Sequence, residues 1–135
     1  MSDLINLIKF DVKGDDRGSL IALENNKNIP FDIKRVYYIF DTKESVRRGF
    51  HAHLKLQQVL ICVKGSCKIL LDDGKQKNIA TLASPDSGLV IENNIWREMY
   101  DFSADCVLLV LASELYDEKD YIRDYQEFLA YVNKP

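Results

Sequence analysis

Residues 57–82 read QQVLICVKGSCKILLDDGKQKNIATL. Three runs rich in Val, Ile and Leu, namely Gln57–Lys64, Cys67–Asp72 and Lys77–Leu82, are separated by Lys64-Gly65-Ser66 and Asp72-Asp73-Gly74. Short β-branched and aliphatic runs broken by glycine-bearing turn chemistry read as successive strands joined by tight hairpins. The pattern continues outward on both sides. Upstream, Ile5–Val12, Ser19–Glu24, Ile33–Phe40 and Gly49–His53 read as strands. Downstream, Ser87–Ile91, Trp96–Phe102 and Cys106–Ala112 do the same after the loop Ser84-Pro85-Asp86-Ser87-Gly88. Strand upon strand without interleaved helices argues for an all-β sandwich or jelly-roll barrel and against α/β alternation.

The barrel is expected over about residues 5–113. Beyond it, Tyr121, Ile122, Tyr125, Phe128, Leu129 and Val132 recur at spacings of one, three and four with charged residues between them. That period predicts an amphipathic C-terminal α-helix over about residues 116–132, closing one end of the barrel. The 135 residues suit a single domain, 1–135.

Composition narrows the function classes. With 18 Lys and Arg against 21 Asp and Glu the net charge is −3, so the basic excess of a nucleic-acid-binding domain is missing. No apolar run reaches the roughly 18–20 residues that span a bilayer, and the start, Met-Ser-Asp-Leu-Ile-Asn, lacks the parts of a signal peptide. The expectation is a cytoplasmic protein with neither nucleic acid nor membrane as partner. Three cysteines, Cys62, Cys67 and Cys106, are an odd set without regular spacing and a poor disulfide framework. They read as small buried hydrophobes, with a cross-strand bridge between Cys62 and Cys67 left open; a zinc site would ask for more thiolates or nearby histidines.

Both histidines of the chain lie in Arg48-Gly49-Phe50-His51-Ala52-His53. Residues i and i+2 of a strand share a face, so the two imidazoles project together. A lone buried histidine is usually a hydrogen-bonded core residue, whereas a pair inside a barrel makes a metal site or an acid–base site.

Gly49-Phe50-His51-Ala52-His53, followed by Gln57 and Gly65, resembles the first motif of the cupin superfamily. Gln57 stands where that motif has its acidic metal ligand, and Arg97 stands where the second motif has a histidine. A guanidinium repels a cation, so the resemblance implies a barrel without a metal and disfavours a metal-dependent cupin oxygenase. Asp16-Arg17-Gly18-Ser19-Leu20 is similar to a segment of the nucleotide-sugar epimerases. Longer segments resemble the thymidine-diphosphate-4-keto-6-deoxyglucose 3,4-ketoisomerases. These are Asn28-Ile29-Pro30-Phe31-Asp32-Ile33-Lys34-Arg35-Val36-Tyr37-Tyr38-Ile39, the histidine strand, Gln58-Val59-Leu60-Ile61-Cys62, Ile95-Trp96-Arg97-Glu98-Met99, Leu108-Leu109-Val110-Leu111-Ala112-Ser113-Glu114 and Asp117-Glu118-Lys119-Asp120-Tyr121-Ile122-Arg123. They follow one another in order and spacing over nearly the whole chain.

The resemblance implies a cupin-like jelly roll that moves a sugar carbonyl from C4 to C3 through an enediol, with no cofactor. It implies His51 as the base at C3, with the charge of Arg47 and Arg48 helping to keep it neutral. His53 is implied as a proton shuttle between the two oxygens or as the donor to C4, and Tyr37 as a phenol hydrogen-bonding the substrate. Arg17, Arg35, Arg48 and Lys55 are the candidates for the diphosphate of a dTDP-sugar, since paired cations suit phosphate oxygens, and Arg97 is a candidate for the sugar ring. A homodimer with an exchanged N-terminal strand is also implied, as is a place in 3-amino-3,6-dideoxyhexose synthesis for surface glycans such as lipopolysaccharide. Two other readings stand beside it. A 3,5-epimerase would pair its histidine with an aspartate, and the sequence identifies none; a non-catalytic cupin would bind a sugar without turning it over.

Overall fold

The computed structural model describes residues 3–134. Two five-stranded sheets face one another. The first has the order β1 (Asn6–Lys9), β9 (Ser87–Ile91), β6 (Gln58–Lys64), β11 (Val107–Ala112) and β4 (Arg35–Ile39). The second has the order β12 (Tyr121–Ile122), β5 (Arg48–His53), β10 (Trp96–Tyr100), β7 (Cys67–Asp72) and β8 (Lys77–Leu82). A separate exposed hairpin joins β2 (Lys13–Asp15) to β3 (Gly18–Leu20). The pairings within both sheets are antiparallel. This is the all-β jelly roll that the strand pattern predicts, of the cupin-like kind that the resemblance implies, and one helix, α1 (Tyr125–Val132), follows it.

Alternation along each strand sorts the side chains into three apolar layers. Leu60 and Cys62 of β6, Leu108 and Val110 of β11, and Ile69 and Leu71 of β7 fill the space between the sheets. Val59, Ile61 and Leu111 face the other way, where Phe10, Ile29 and Phe31 of the N-terminal segment cover them. On the outside of the second sheet, Ala52 and Trp96 are sealed by Ile122 and Phe128. The cavity end of the barrel therefore takes its side chains from the inward positions of β4, β5, β6 and β10.

Three local expectations are corrected. Lys64-Gly65-Ser66 is a corner rather than a hairpin, because β6 pairs with β9 and β11 whereas β7 pairs with β8 and β10. The helix begins at Tyr125, not at 116. Asp117 caps a 3-10 turn over Glu118–Asp120, Tyr121 and Ile122 pair with His53 and Ala52, and Asp124 caps α1 by accepting from the Glu127 N–H. Tyr121 and Ile122 thus alternate as a strand, and only Tyr125, Phe128, Leu129 and Val132 belong to the helical stripe. The strand expected over Ile5–Val12 is confined to Asn6–Lys9, and the hairpin follows it. Among the described residues no helix is long and apolar enough to cross a membrane.

Candidate active site

An irregularity in β5 creates the site. Arg97 of β10 faces His51, but the next residue, Glu98, faces Gly49, so Phe50 is an extra residue. Gly49 and Phe50 both take left-handed backbone angles, φ +93° and +59°. A Cβ on Gly49 would lie 2.8 Å from the Arg97 carbonyl oxygen, so only glycine fits this approach. The bulge turns Phe50 to solvent and aims both His51 and His53 between the sheets.

The two imidazoles meet edge to face, their ring centres 4.9 Å apart, and Tyr121 packs 5.0 Å and 4.4 Å from them. His51 Nδ1 lies 3.1 Å from the Gly49 carbonyl oxygen, and His53 Nδ1 lies 3.1 Å from Asp120 Oδ2. Carbonyl and carboxylate oxygens accept, so each neutral ring donates from Nδ1 and keeps the Nε2 lone pair. The buried Nε2 of His53 has no partner among the described residues. Asp120 is itself held, its carboxylate accepting from the backbone N–H groups of Lys55 at 2.8 Å and Leu56 at 3.3 Å.

Beside the histidines lies a fully buried cation. Arg97 is 0% exposed, donates from Nη1 to Gln58 Oε1 at 2.6 Å and from Nη2 to the Ile95 carbonyl at 2.8 Å, and its Nε has no partner among the described residues. Among the described residues it has no carboxylate in ion-pair range, and burial pushes its proton affinity down to about 10. Gln58 passes the chain of bonds onward, its amide donating to the Tyr37 hydroxyl oxygen at 3.0 Å. Burial raises the Tyr37 pKa, so the phenol keeps its proton as a donor.

Burial is also the first cause that lowers both histidines, and the Arg97 charge is the second. His51 falls from 6.5 to about 4 and His53 to about 2. For His53 these two causes outweigh the nearby carboxylate of Asp120. At neutral pH both rings are free bases.

The inward face opens into a cleft of about 610 Å³ lined by Arg35, Tyr37, Arg47, Arg48, His51, Tyr121 and Arg123 among others. Arg35 lies over Tyr37 and Tyr116 at 5.4 and 5.6 Å without an ion pair among the described residues. The Arg48 side chain has neither hydrogen bond nor ion pair among the described residues, while its backbone belongs to the β5–β10 ladder opposite Met99. Arg47 reaches Glu98 at 3.3 Å, and Arg123 pairs with Glu118 at 2.8 Å while lying over Tyr121.

Of the residues singled out in the sequence, His51, His53, Tyr37, Arg35, Arg48 and Arg97 come together here. Arg17 and Lys55 do not. Arg17 sits on the exposed hairpin, paired with Asp15 at 2.6 Å, and Lys55 borders a separate groove with Glu114 and Asp117. The residue that faces inward in the motif is Gln58 rather than Gln57, whose backbone instead bonds Ser113. Nor do Arg47 and Arg48 keep His51 neutral; Arg97 and Arg123 are the cations that lower it. An aspartate does pair with a histidine after all, namely Asp120. In the sequence its segment reads as an amphipathic helix, with Asp120 and Arg123 among the charged residues and Tyr121 in the apolar stripe.

Residues 3–133 match the family model described as "FdtA: WxcM-like, C-terminal". The TDP-4-oxo-6-deoxy-alpha-D-glucose-3,4-oxoisomerase of Aneurinibacillus thermoaerophilus is 59% identical over 128 residues, covering 95% of this chain and 92% of that protein. A solved 3,4-ketoisomerase from Helicobacter canadensis is 56% identical with a TM-score of 0.94, over 96% of this chain and 98% of that one. The H51N mutant of the 3,4-ketoisomerase QdtA from Thermoanaerobacterium thermosaccharolyticum, solved in complex with TDP-4-keto-6-deoxyglucose, is 48% identical. Its TM-score is also 0.94, over 98% of this chain and 96% of that one.

Proposed function

The chain belongs to the FdtA-like family and is a sugar 3,4-ketoisomerase, and on that premise we propose that it converts TDP-4-keto-6-deoxyglucose to a TDP-3-keto-6-deoxyhexose with His51 and His53 as proton carriers. The observation that carries this reading is the pair of neutral imidazoles whose Nδ1 atoms are committed, with His53 Nε2 unpartnered among the described residues and His51 lining the cleft.

The reaction redistributes protons, with no net oxidation. The C4 ketone acidifies the C3–H; a base removes that proton, O4 is protonated, and an enediol results. Loss of the O3 proton and protonation of C4 then complete the transfer of the carbonyl. His51, which lines the cleft, is the C3 base, and His53 beneath it relays a proton between the oxygens or to C4. The Tyr37 phenol and the Arg97 field stabilise charge as it develops on the enediol oxygen. Bases with such low proton affinity suit an anionic ligand, since a diphosphate and a developing enolate both raise it again. Arg35 and Arg48 are the diphosphate ligands, with Arg47 and Arg123 beside them.

The active unit is a homodimer of single-domain chains in the cytoplasm, feeding dideoxy-aminosugar and surface-glycan synthesis. What supports the dimer is the exposed outer face of β4, with Val36, Tyr38 and Phe40 all more than half exposed, and the hairpin carrying Arg17, exposed on every side. Sedimentation at micromolar concentration is expected to give a species of twice the chain mass; a monomer removes this part of the proposal.

Proton NMR of TDP-4-keto-6-deoxyglucose in D2O tests the chemistry. The expected result is a 3-keto sugar with the C3 proton signal lost and deuterium at C4; the same reaction in H2O leaves a C4 proton whose coupling to H5 reports the C4 configuration. Exchange confined to C3 and C5 would mark an epimerase, and an unchanged spectrum with folded protein a binding module.

A further inference from the structure

The three cysteines are not scattered in the core. Cys62 near the end of β6, Cys67 at the start of β7 and Cys106 just before β11 point their sulfur atoms at one another, all within 4.8 Å. Cys62 Sγ and Cys106 Sγ are 3.7 Å apart. All three are free thiols, and none is more than 2% exposed. Two surface segments are stitched together to make this meeting. The Ser103 N–H donates to the Ser66 carbonyl, and the Ser66 N–H donates to Ser103 Oγ, both at 2.9 Å. Burial alone accounts for three separate small hydrophobes, but not for the convergence of three sulfurs from both sheets on one point.

We propose that Cys62, Cys67 and Cys106 form a binding site for a trivalent thiophilic metalloid ion, arsenic(III) being the probe, held as a neutral tris-thiolate. Thiolate bonds of about 2.3 Å at a tetrahedral angle set sulfurs roughly 3.8 Å apart; arsenic(III) keeps a lone pair and is pyramidal, so its three sulfurs close to somewhat less than that, a small inward movement for Cys62 and Cys106 at 3.7 Å. Charge then selects the guest. Three thiolates around a divalent ion leave one net negative charge among Phe102, Ile69 and Leu108, where burial of an unpaired charge is costly. A trivalent ion with three thiolates leaves none. The step conserves atoms and oxidation state: arsenous acid loses three hydroxyls, three As–O bonds give way to three As–S bonds, and the thiol protons leave as water.

Access is through the segment beside Cys106, where Ala104 and Asp105 are exposed. The site stands apart from the proton carriers: four residues along β6 separate Cys62 from Gln58, about 13 Å at strand rise.

The test adds sodium arsenite to reduced protein, both folded and during refolding, and reads native mass and thiol alkylation. The expected adduct carries one arsenic less three hydrogens, with all three thiols protected from iodoacetamide. Cys106→Ala is expected to weaken it by about 100-fold or more, beyond the 10–100-fold that an outer-shell partner costs; Cys67→Ala, on the other sheet, does the same. Isomerase turnover without arsenite reports that each variant is folded. No adduct under either condition, an adduct that has lost only two hydrogens, or one insensitive to both substitutions would overturn the proposal.

Discussion

An imidazole whose Nδ1–H is committed to an acceptor has only its Nε2 lone pair left for chemistry, so the acceptor decides what the ring can do. Asp120 performs that task for His53, and the Gly49 carbonyl performs it for His51. In Asp120→Asn the amide oxygen still serves the Lys55 N–H, but the amide nitrogen faces His53 and donates to Nδ1, moving the ring proton to Nε2. The expected outcome is a kcat lower by about 100-fold or more with KM within about threefold, since positioning rather than binding is lost. An unchanged kcat in steady-state assays would remove Asp120 from the positioning role. His51→Asn is expected to cost 10²–10⁴-fold in kcat, the range of a lost general base, while circular dichroism stays native. The acid limb of kcat/KM reports the free enzyme, so it is expected near pH 4 rather than 6.5. Arg97→Gln moves that limb upward only part of the way, because burial, the larger cause, remains. A limb that stays in place in this variant would mean that the Arg97 charge does not reach His51.

At the scale of elements, the histidine strand depends on a bulge that its neighbours impose. Gly49→Ala places a methyl group 2.8 Å from the Arg97 carbonyl at φ +93°. Unfolding in urea is expected to show a loss of about 2 kcal/mol or more, with turnover falling as well because His51 rides on the same turn. Retained stability would show that β5 and β10 can slide. The bulge also marks where the sequence stopped being legible. Strands β6 to β11 follow from runs in which every second residue enters the core, and the inward pairing of His51 with His53 follows from the same period. The extra residue at Phe50 has no such signal, since it arises from the contact of Gly49 with a strand nearly fifty residues away. The segment 116–124 misled for a related reason. Tyr121 and Ile122 stand at a spacing compatible with a helix, but capping by Asp117 and pairing with β5 hold them extended. A helix over this segment places Asp120 and Arg123 on a solvated face, whereas the extended strand sets Arg123 on the cleft and Asp120 against His53. Arg97 was legible as a departure from the cupin pattern, but its burial beside Gln58 and Tyr37 depends on the opposing sheet.

For the whole molecule, two buried bases inside one barrel tie stability to pH. Both histidines have folded pKa values below the unfolded 6.5, about 4 and about 2. Below pH 6.5 the unfolded chain therefore binds protons that the folded chain refuses, and stability falls as pH falls. The carboxylates held low, Asp73 and Glu118 among them, begin to matter only near their own unfolded values close to 4, and Cys62 titrates near 7 and above. The interval from about pH 6 to about pH 4.5 accordingly belongs to the histidines. Two protons of difference set a slope of roughly 2.7 kcal/mol per pH unit, and a loss of about 2 kcal/mol for each ring by pH 5. Urea unfolding across this interval checks the slope. His53→Gln removes one of the two protons and is expected to halve it, whatever the substitution costs at pH 8. Adding TDP-4-keto-6-deoxyglucose is expected to flatten it too, because an anion beside the rings raises their proton affinity toward the unfolded value. A wild-type slope near zero would mean that the rings protonate in the folded protein, and the neutral pair on which the proton transfer rests would be lost with it.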